Sequence, residues 1–388
     1  MKNLETLINE LCPEGVEFVK LGDVCEVQRG KRLTKKQLSD QDNYSVFHGG
    51  IQPIGYYSKC NRKANTVMII NVGASAGTIG FCGQDFWSSD GCYCLSHVNE
   101  LSARYLYFLL SKNQHYFQSK VRHGGIPTLD ALVVKNFEIP LPPIEVQTEI
   151  VRILDKFTEL EAELEAELDC RKRQYEYYRD KLLSFENVGG QNVEWKKMSE
   201  ICLSICSGGT PLTSKPEYYD GDIPWLRTQE VDYCEINSTL RNITQLGLDN
   251  SSAKMIPSNC VIVAMYGATA AKVAINKIPL CTNQACCNLQ IDESKAKVRY
   301  VYQWLCKQYE VLKALGEGSQ HNINAKKVKD FAIPIPPLAE QERIVSILDR
   351  FESLTTSLTA GLPAEIAARR QQYEHYRDKL LTFKRKSA

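Results

Sequence analysis

Three short stretches carry residue types and spacings that could do chemistry. Gly73-Ala-Ser-Ala-Gly77-Thr-Ile-Gly80 has glycines spaced as if to cradle a phosphate on backbone N–H groups. It lacks the Gly-Lys-Ser/Thr ending, and a related stretch has Ala271 where this one has Gly77, so a tight turn is expected. Asp180 with Glu194-Trp195-Lys196 follows the Asp…Glu-x-Lys order of cation-dependent nucleases. Its twin Asp378 has no such partner, which argues against cleavage. Arg29, Lys31, Arg32, Lys35 and Lys36, with Thr34 among them, form the densest basic cluster, suited to an anion.

The other reactive types do not assemble into a site. His48, His97, His115, His123, His321 and His375 have no evident nucleophile or metal partner. The 15 cysteines include Cys92-Tyr93-Cys94, Cys202/Cys206 and Cys286-Cys287, but no paired C-x₂-C knuckles. They are expected to be reduced thiols, many of them buried, with no metal. The net charge of +1 over 388 residues leaves room only for a local basic face. No apolar run reaches about 18 residues, so no membrane span is expected. MKNLETLINEL reads as a short amphipathic helix and not as a signal peptide.

The strongest pattern is an internal repeat. QYEYYRDKLLSF at Gln174 returns as QYEHYRDKLLTF at Gln372, with ten of twelve residues alike. IPLPPIEVQTEIVRILDKF (139–157) returns as IPIPPLAEQERIVSILDRF (333–351), with eleven of nineteen alike. NTVMIINVGASAG at Asn65 aligns with NCVIVAMYGATAA at Asn259, 194 residues on. Val16-Glu17-Phe18 aligns with Val193-Glu194-Trp195 at an offset of 177, so the second copy carries 17 extra residues. They are placed within KPEYYDGDIPWLRTQEVDYCEIN (215–237), and four more around Gly361-Leu362-Pro363.

The repeat unit is a Gly/Asn/Ser/Thr-rich domain with short apolar runs, then a stiff Pro-rich exit, then a helix. Ile150, Leu154, Phe157, Leu164, Leu168, Tyr175, Tyr178, Leu182 and Phe185 mark a seam of about 40 residues, about 60 Å of helix. The first helix carries the chain to the second domain, and an equivalent second helix would return. The expected fold is α+β: two mixed, mostly β domains joined by two long antiparallel coiled-coil helices with internal pseudo-twofold repeat. The expected boundaries are 1–143 with the short N-terminal helix, 144–186, 187–337 and 338–388. Arg171, Lys172, Arg173, Arg369, Arg370, Lys384, Arg385 and Lys386 could partly offset the acidic stretch 159–169. Duplicated helices bearing diverged domains suit bipartite DNA recognition. Two modules about 10 bp apart, each reading ~3–5 bp, would leave a gap of roughly 5–8 bp.

The chain resembles the specificity subunit of type I restriction–modification enzymes over essentially its whole length. The IPLPP/IPIPP exits, Gln147 and Gln341, ILDKF/ILDRF and the YRDKLL endings carry the likeness. GGIQPIGYY (49–57), GEGSQHNIN (316–324) and LPAEIAARRQQYEHYR (362–377) add to it, while GGIPTLDA (124–131) departs from GEGSQHNIN at the matching place. The resemblance implies two target-recognition domains, each reading half of a bipartite site. It implies helices that space them and dock two methyltransferase subunits, through which restriction/translocase subunits attach. No catalysis by this chain is implied: S-adenosylmethionine, ATP and Mg²⁺ belong to the partners, and the setting is the cytoplasm of a bacterium or archaeon. No glycine-rich cofactor loop or Asn-Pro-Pro-Tyr/Phe motif is present for methylation by the chain itself.

Candidate DNA contacts in the first domain are Arg29, Lys31, Arg32, Thr34, Lys35, His48, Gln52 and Tyr56. In the second they are Thr210, Thr213, Ser214, Lys215, Arg227, Thr228, Gln229, Lys272, Gln320 and His321. Lysines suit phosphate, while Arg and Gln can pair with base edges. Candidates for the helical strut or its partner face are Gln147, Asp155, Tyr175, Tyr178, Arg179 and Asp180, with Gln341, Asp349, Tyr373, Tyr376, Arg377 and Asp378. Two other readings are a self-sufficient restriction enzyme, which would cut or methylate DNA alone, and a structural coiled-coil hub indifferent to DNA sequence.

Overall fold

The computed structural model describes residues 4–97, 100–185, 193–317, 322–356 and 361–386. Gln320 and His321 lie outside them. The chain divides into two compact units, Met1–Glu165 with Glu365–Ala388, and Ala166–Ala364. This differs from the boundaries expected above, because the cut falls within the helix Ile144–Leu182. Each unit is completed by helix from the other repeat.

In the first unit, an antiparallel sheet orders Cys25–Arg29, Cys92–His97, Thr66–Ile70 and Ile79–Cys82. A smaller sheet places Tyr44–Phe47 between Tyr56–Tyr57 and Trp87–Ser88, the last pair parallel. The apolar run Val67–Ile70 is a strand buried on both faces, which is why it does not alternate with polar residues. Val67 and Ile69 pack with Tyr105, Leu106, Ile150 and Leu154, while Met68 and Ile70 meet Phe47 and Phe86. Ser102 caps the helix Ala103–Lys112 by accepting from the Tyr105 N–H.

The second unit repeats this plan. Its sheet orders Cys202–Ser207, Cys286–Ile291, Val261–Ala264 and Val273–Asn276, with Cys234–Ile236 added parallel at the edge. Its smaller sheet places Tyr219–Leu226 between Asn242–Ile243 and Cys281–Thr282. Val261 and Val263 pack with Tyr300, Leu305, Ile344 and Leu348; Ile262 and Ala264 meet Leu226 and Ile236.

The strand registers relocate the extra residues of the second copy. The offset is 179 at Phe47/Leu226, 186 at Tyr56/Asn242 and 194 at Asn65/Asn259. Nearly all of the insertion therefore follows Leu226 and extends past residue 237, beyond the stretch expected. It supplies the edge strand Cys234–Ile236 and the helix Gln245–Asp249, capped by the Thr244 hydroxyl accepting from the Gly247 N–H at 3.1 Å.

A second correction concerns the second spacer helix, expected as one element over 338–388. Two helices are present, Leu338–Thr356 and Leu362–Leu380. Gly361 sits at φ +109°, outside helical geometry, and Pro363 lacks the N–H a continuing helix would donate. The first spacer is a single helix, Ile144–Leu182, of 39 residues and about 58 Å. Ile150 and Leu154 of its seam are buried, and Tyr178 stays 40 % exposed.

All 15 cysteines are unpaired thiols. Burial pushes Cys25, Cys92, Cys202, Cys260 and Cys287 up to about 12. In the unfolded chain such thiols ionise near about 8.5. Between those values the unfolded chain releases protons that the fold retains, so stability falls as pH rises across the window. At pH 8 a thiol reagent is expected to label Cys60 and Cys82, both only half-buried, well before the buried Cys25, Cys92, Cys260 and Cys287. Mass spectrometry of the native and the denatured protein, with equal labelling of all sites in the native state as the contrary outcome, checks this.

Candidate nucleic-acid interface

In the first unit, three loops meet where the two sheets end. Gly30 crosses the end of the Trp87–Ser88 strand so closely that a Cβ there would lie 2.2 Å from the Ser88 carbonyl. The Lys31 N–H donates to the Ser88 carbonyl at 2.9 Å, and the Trp87 indole donates to the Lys31 carbonyl at 2.8 Å. Arg29 donates through Nε to the Asp90 carbonyl at 2.9 Å, and His48 Nδ1 lies 3.3 Å from Asp90 Oδ1. Lys31, Arg32, Lys35 and Lys36 are exposed beside this crossing and have no ion-pair partner among the described residues. The Gln37 side-chain oxygen accepts from the Thr34 N–H at 3.0 Å and from its hydroxyl at 2.9 Å, which closes the turn Lys35–Gln37. Tyr56 pairs with Ser39 through backbone hydrogen bonds of 2.9 Å, and Gln52 is exposed in the preceding loop.

The second unit builds the same crossing with other side chains. Gly208 passes Thr282, where a Cβ would lie 2.0 Å from its carbonyl. The Gly209 N–H donates to the Thr282 carbonyl at 2.9 Å, and the Trp225 indole donates to the Gly209 carbonyl at 3.0 Å. The Thr210 hydroxyl bonds the Gln284 side-chain oxygen. Thr213, Ser214 and Lys215 continue along an exposed loop, with Lys215 paired to Glu217 at 3.4 Å. Arg227, Thr228 and Gln229 follow the end of the central strand, and Thr269 donates to the Thr228 carbonyl at 2.8 Å. Lys272 is taken up by Asp232 at 2.6 Å and lies over the Tyr233 ring.

Sequence reasoning passed over Asp90, Gln284, Trp87 and Trp225. The first two share an offset of 194 and so were legible as a pair; the tryptophans are not at matching positions and were not.

The helix residues divide into joints and clasps. Gln147 is fully buried: its oxygen accepts from the Ser102 N–H at 2.8 Å, and its amide donates to the Glu100 and Pro142 carbonyls, both at 2.8 Å. Gln341 accepts from the Lys297 N–H at 2.9 Å and donates to the Pro336 carbonyl at 2.8 Å. Arg104 binds Asp155 at 2.7 Å, and Arg299 binds Asp349 at 2.6 Å and Glu352 at 2.8 Å. These carboxylates hold the Arg299 guanidinium charged despite its burial.

The repeated phrase closes each unit from the other repeat. In the first unit, Tyr376 stacks on Phe157 at 5.4 Å, and Arg370 binds Glu161 and Glu165, which sets the helices antiparallel. Lys112 donates to the Asp378 carbonyl and the Thr382 hydroxyl. In the second, Tyr178 stacks on Phe351 at 5.4 Å, Tyr175 donates to the Gln303 oxygen at 2.8 Å, and Lys307 donates to the Asp180 and Leu183 carbonyls. Arg179 and Arg377 pair with their neighbours Asp180 and Asp378. Arg377 lies over Tyr373, whose hydroxyl burial pushes up to about 12.

The decoys resolve as well. Gly77 stands at φ +87°, where a Cβ would lie 2.7 Å from the Gln118 nitrogen; Ala271 holds the same left-handed turn at φ +71°. Glu194 pairs with Lys196 at 3.2 Å, and no cluster of three or more His, Cys, Asp or Glu fit for a metal occurs among the described residues.

The family model described as "Type I restriction modification DNA specificity domain" matches residues 13–169 and again 191–368. The chain belongs to the type I restriction–modification specificity subunits. These are non-catalytic DNA-recognition subunits, and the two crossings lie in its two target-recognition domains. It is 41% identical to the Escherichia coli EcoR124I/EcoR124II specificity subunit, over 99% of this chain and 97% of that one. Among solved structures, it matches a type I specificity subunit from M. genitalium with TM-score 0.62 at 17% identity, covering 95% and 96% of the two chains. It matches a chain from a structural account of type I R-M complex assembly with TM-score 0.60 at 19% identity, covering 95% and 98%. No described helix is long and apolar enough to cross a membrane.

The Gln147 joint gives a stability test. Gln147→Ala leaves one buried N–H and two carbonyls without their partner, an expected loss of about 2–3 kcal/mol. Gln41→Ala, at an exposed position, should stay within about 0.5 kcal/mol. Urea unfolding followed by the first transition distinguishes them; equal midpoints would contradict the joint.

Proposed function

We propose that this specificity subunit reads an asymmetric, bipartite, gapped duplex sequence, one half with each target-recognition domain. The observation that carries this reading is one backbone crossing built twice with different side chains, exposed or half-buried, around it. One crossing carries Arg29, Lys31, Arg32 and His48, and the other Thr210, Arg227 and Gln229. The shared crossing presents each domain's groups alike, and the divergence around it makes the two half-sites different. Lys31, Arg32, Lys35, Lys36 and Lys215 serve the phosphates, which fixes register, while groups at the sheet ends reach base edges.

In this reading the helices set the gap. They also present two equivalent docking faces to two methyltransferase subunits, which in turn carry restriction/translocase subunits. Glu176/Glu374, Asp180/Asp378 and Lys181/Lys379 support this, being exposed and the same in both copies of the phrase. S-adenosylmethionine, ATP and Mg²⁺ are then bound by those partners, and the assembly works in the cytoplasm where the DNA lies.

Sequencing the methylated bases in cells carrying this chain with its methyltransferase tests the reading. A single asymmetric motif with two specified blocks around an unspecified gap is expected. A continuous motif, or methylation indifferent to sequence, would overturn it.

A further inference from the structure

The two crossings are alike down to individual hydrogen bonds, which allows their variable groups to be matched one by one. Phe47 pairs with Ser88 as Leu226 pairs with Thr282, each as the last pair of a parallel register. The Ser89 N–H donates to the Phe47 carbonyl at 3.0 Å, and the Asn283 N–H donates to the Leu226 carbonyl at 2.9 Å. The next residue on each strand is therefore the same structural position, His48 in one domain and Arg227 in the other. Across that hydrogen bond stand Asp90 and Gln284, again one position. Backbone and strand pairing are held constant while the residues at the two positions change from His48 and Asp90 to Arg227 and Gln284.

Arg227 is arranged for a planar acceptor pair. Its N–H donates to Glu230 Oε1 at 3.0 Å, and the same carboxylate lies 3.9 Å from Nε. Glu230 is itself held by the Leu240 N–H at 2.8 Å, so the Arg227 backbone and the carboxylate behind its side chain are fixed, while Nε makes no hydrogen bond. The two terminal nitrogens meet the exposed Gln229 amide, whose oxygen, turned toward them, accepts at 3.2 and 3.1 Å. That single movable oxygen accepts from both terminal nitrogens, the pair of donors that a bidentate Arg contact directs at the O6 and N7 acceptors of a guanine.

We propose that Arg227 is a specificity-determining residue of the second domain that reads one guanine in its half-site, with Gln229 as the group the base displaces. The inference rests on the proposed bipartite reading and extends it to one position. His48, whose Nδ1 lies 3.3 Å from Asp90 Oδ1 at the equivalent point, has no planar fork, so the first domain does not make the same bidentate contact there.

The test is methylated-base mapping in cells carrying the chain and its methyltransferase, with Arg227→Gln and Arg227→Lys compared to the unaltered chain. The unaltered motif should contain a guanine in one half-site. Arg227→Gln should raise methylation of sites with another base at that position about tenfold relative to the guanine sites, with the other half-site and the gap unchanged. Arg227→Lys, a point charge without the fork, should relax the same position less. An unaltered motif in both variants, or relaxation at several positions together, would overturn the assignment while leaving the bipartite reading standing. If a variant methylates nothing, duplex binding by its purified complex with methyltransferase decides. Loss confined to guanine-bearing duplexes supports the proposal, and equal loss on all duplexes overturns it. A continuous motif from the unaltered chain would instead be the failure of the bipartite reading.

Discussion

Gln147 and Gln341 sit where a Pro-rich exit turns into a helix, and each uses its amide to tie helix, exit and domain together. Gln147 reaches the Ser102 N–H and the Glu100 and Pro142 carbonyls at once, in a fully buried setting. A hydrogen-bonded amide in such a place tolerates little reorientation, because any movement leaves buried groups unpaired. The helix must therefore leave its domain in one direction. Tyr105 and Tyr300 reinforce the same joints by donating to the Pro140 and Pro334 carbonyls. In the proposed bipartite reading this constraint comes first, since a swivelling exit would lose the register between the half-sites.

The second constraint is that neither unit is complete within one repeat. The sheet, its covering helix and the first turns of the spacer come from one copy, and the clasping phrase comes from the other. Tyr376 on Phe157 and Tyr178 on Phe351 are the same contact made twice. The Val16 N–H donates to the Lys384 carbonyl and the Lys386 N–H to the Val16 carbonyl, which extends the clasp of the first unit along the chain. Repetition of the twelve-residue phrase follows from this arrangement: each unit has one socket for it.

Much of this was legible in the residues. The repeat, the Pro-rich exits, the long helix with its Ile150 and Leu154 seam, and the turn at Gly77 were readable because periodicity, backbone restriction and local alignment act over short distances. The break ahead of the helix Leu362–Leu380 was marked only by Gly361 and Pro363, which looked like an insertion within a continuing helix. Placement of the extra residues failed for a different reason. Registers such as Leu226↔Thr282 are set by strand pairing between residues far apart in sequence, and no local pattern reports them. The glutamines looked like marks of the strut, whereas their amides turn inward. Asp90 and Gln284 share the repeat offset but differ in type, so alignment pairs them and only the crossing shows what they flank.

In the proposed reading the helices fix how far apart the two half-sites lie. Deleting Glu161–Leu164 removes four residues and about 6 Å of rise from the long helix. Mapping methylated bases with that deletion, in the presence of the methyltransferase, measures the spacing directly. A shorter gap between two unchanged half-sites is the predicted result. An unchanged gap, with methylation retained, would contradict the account and assign the spacing to something other than the helices.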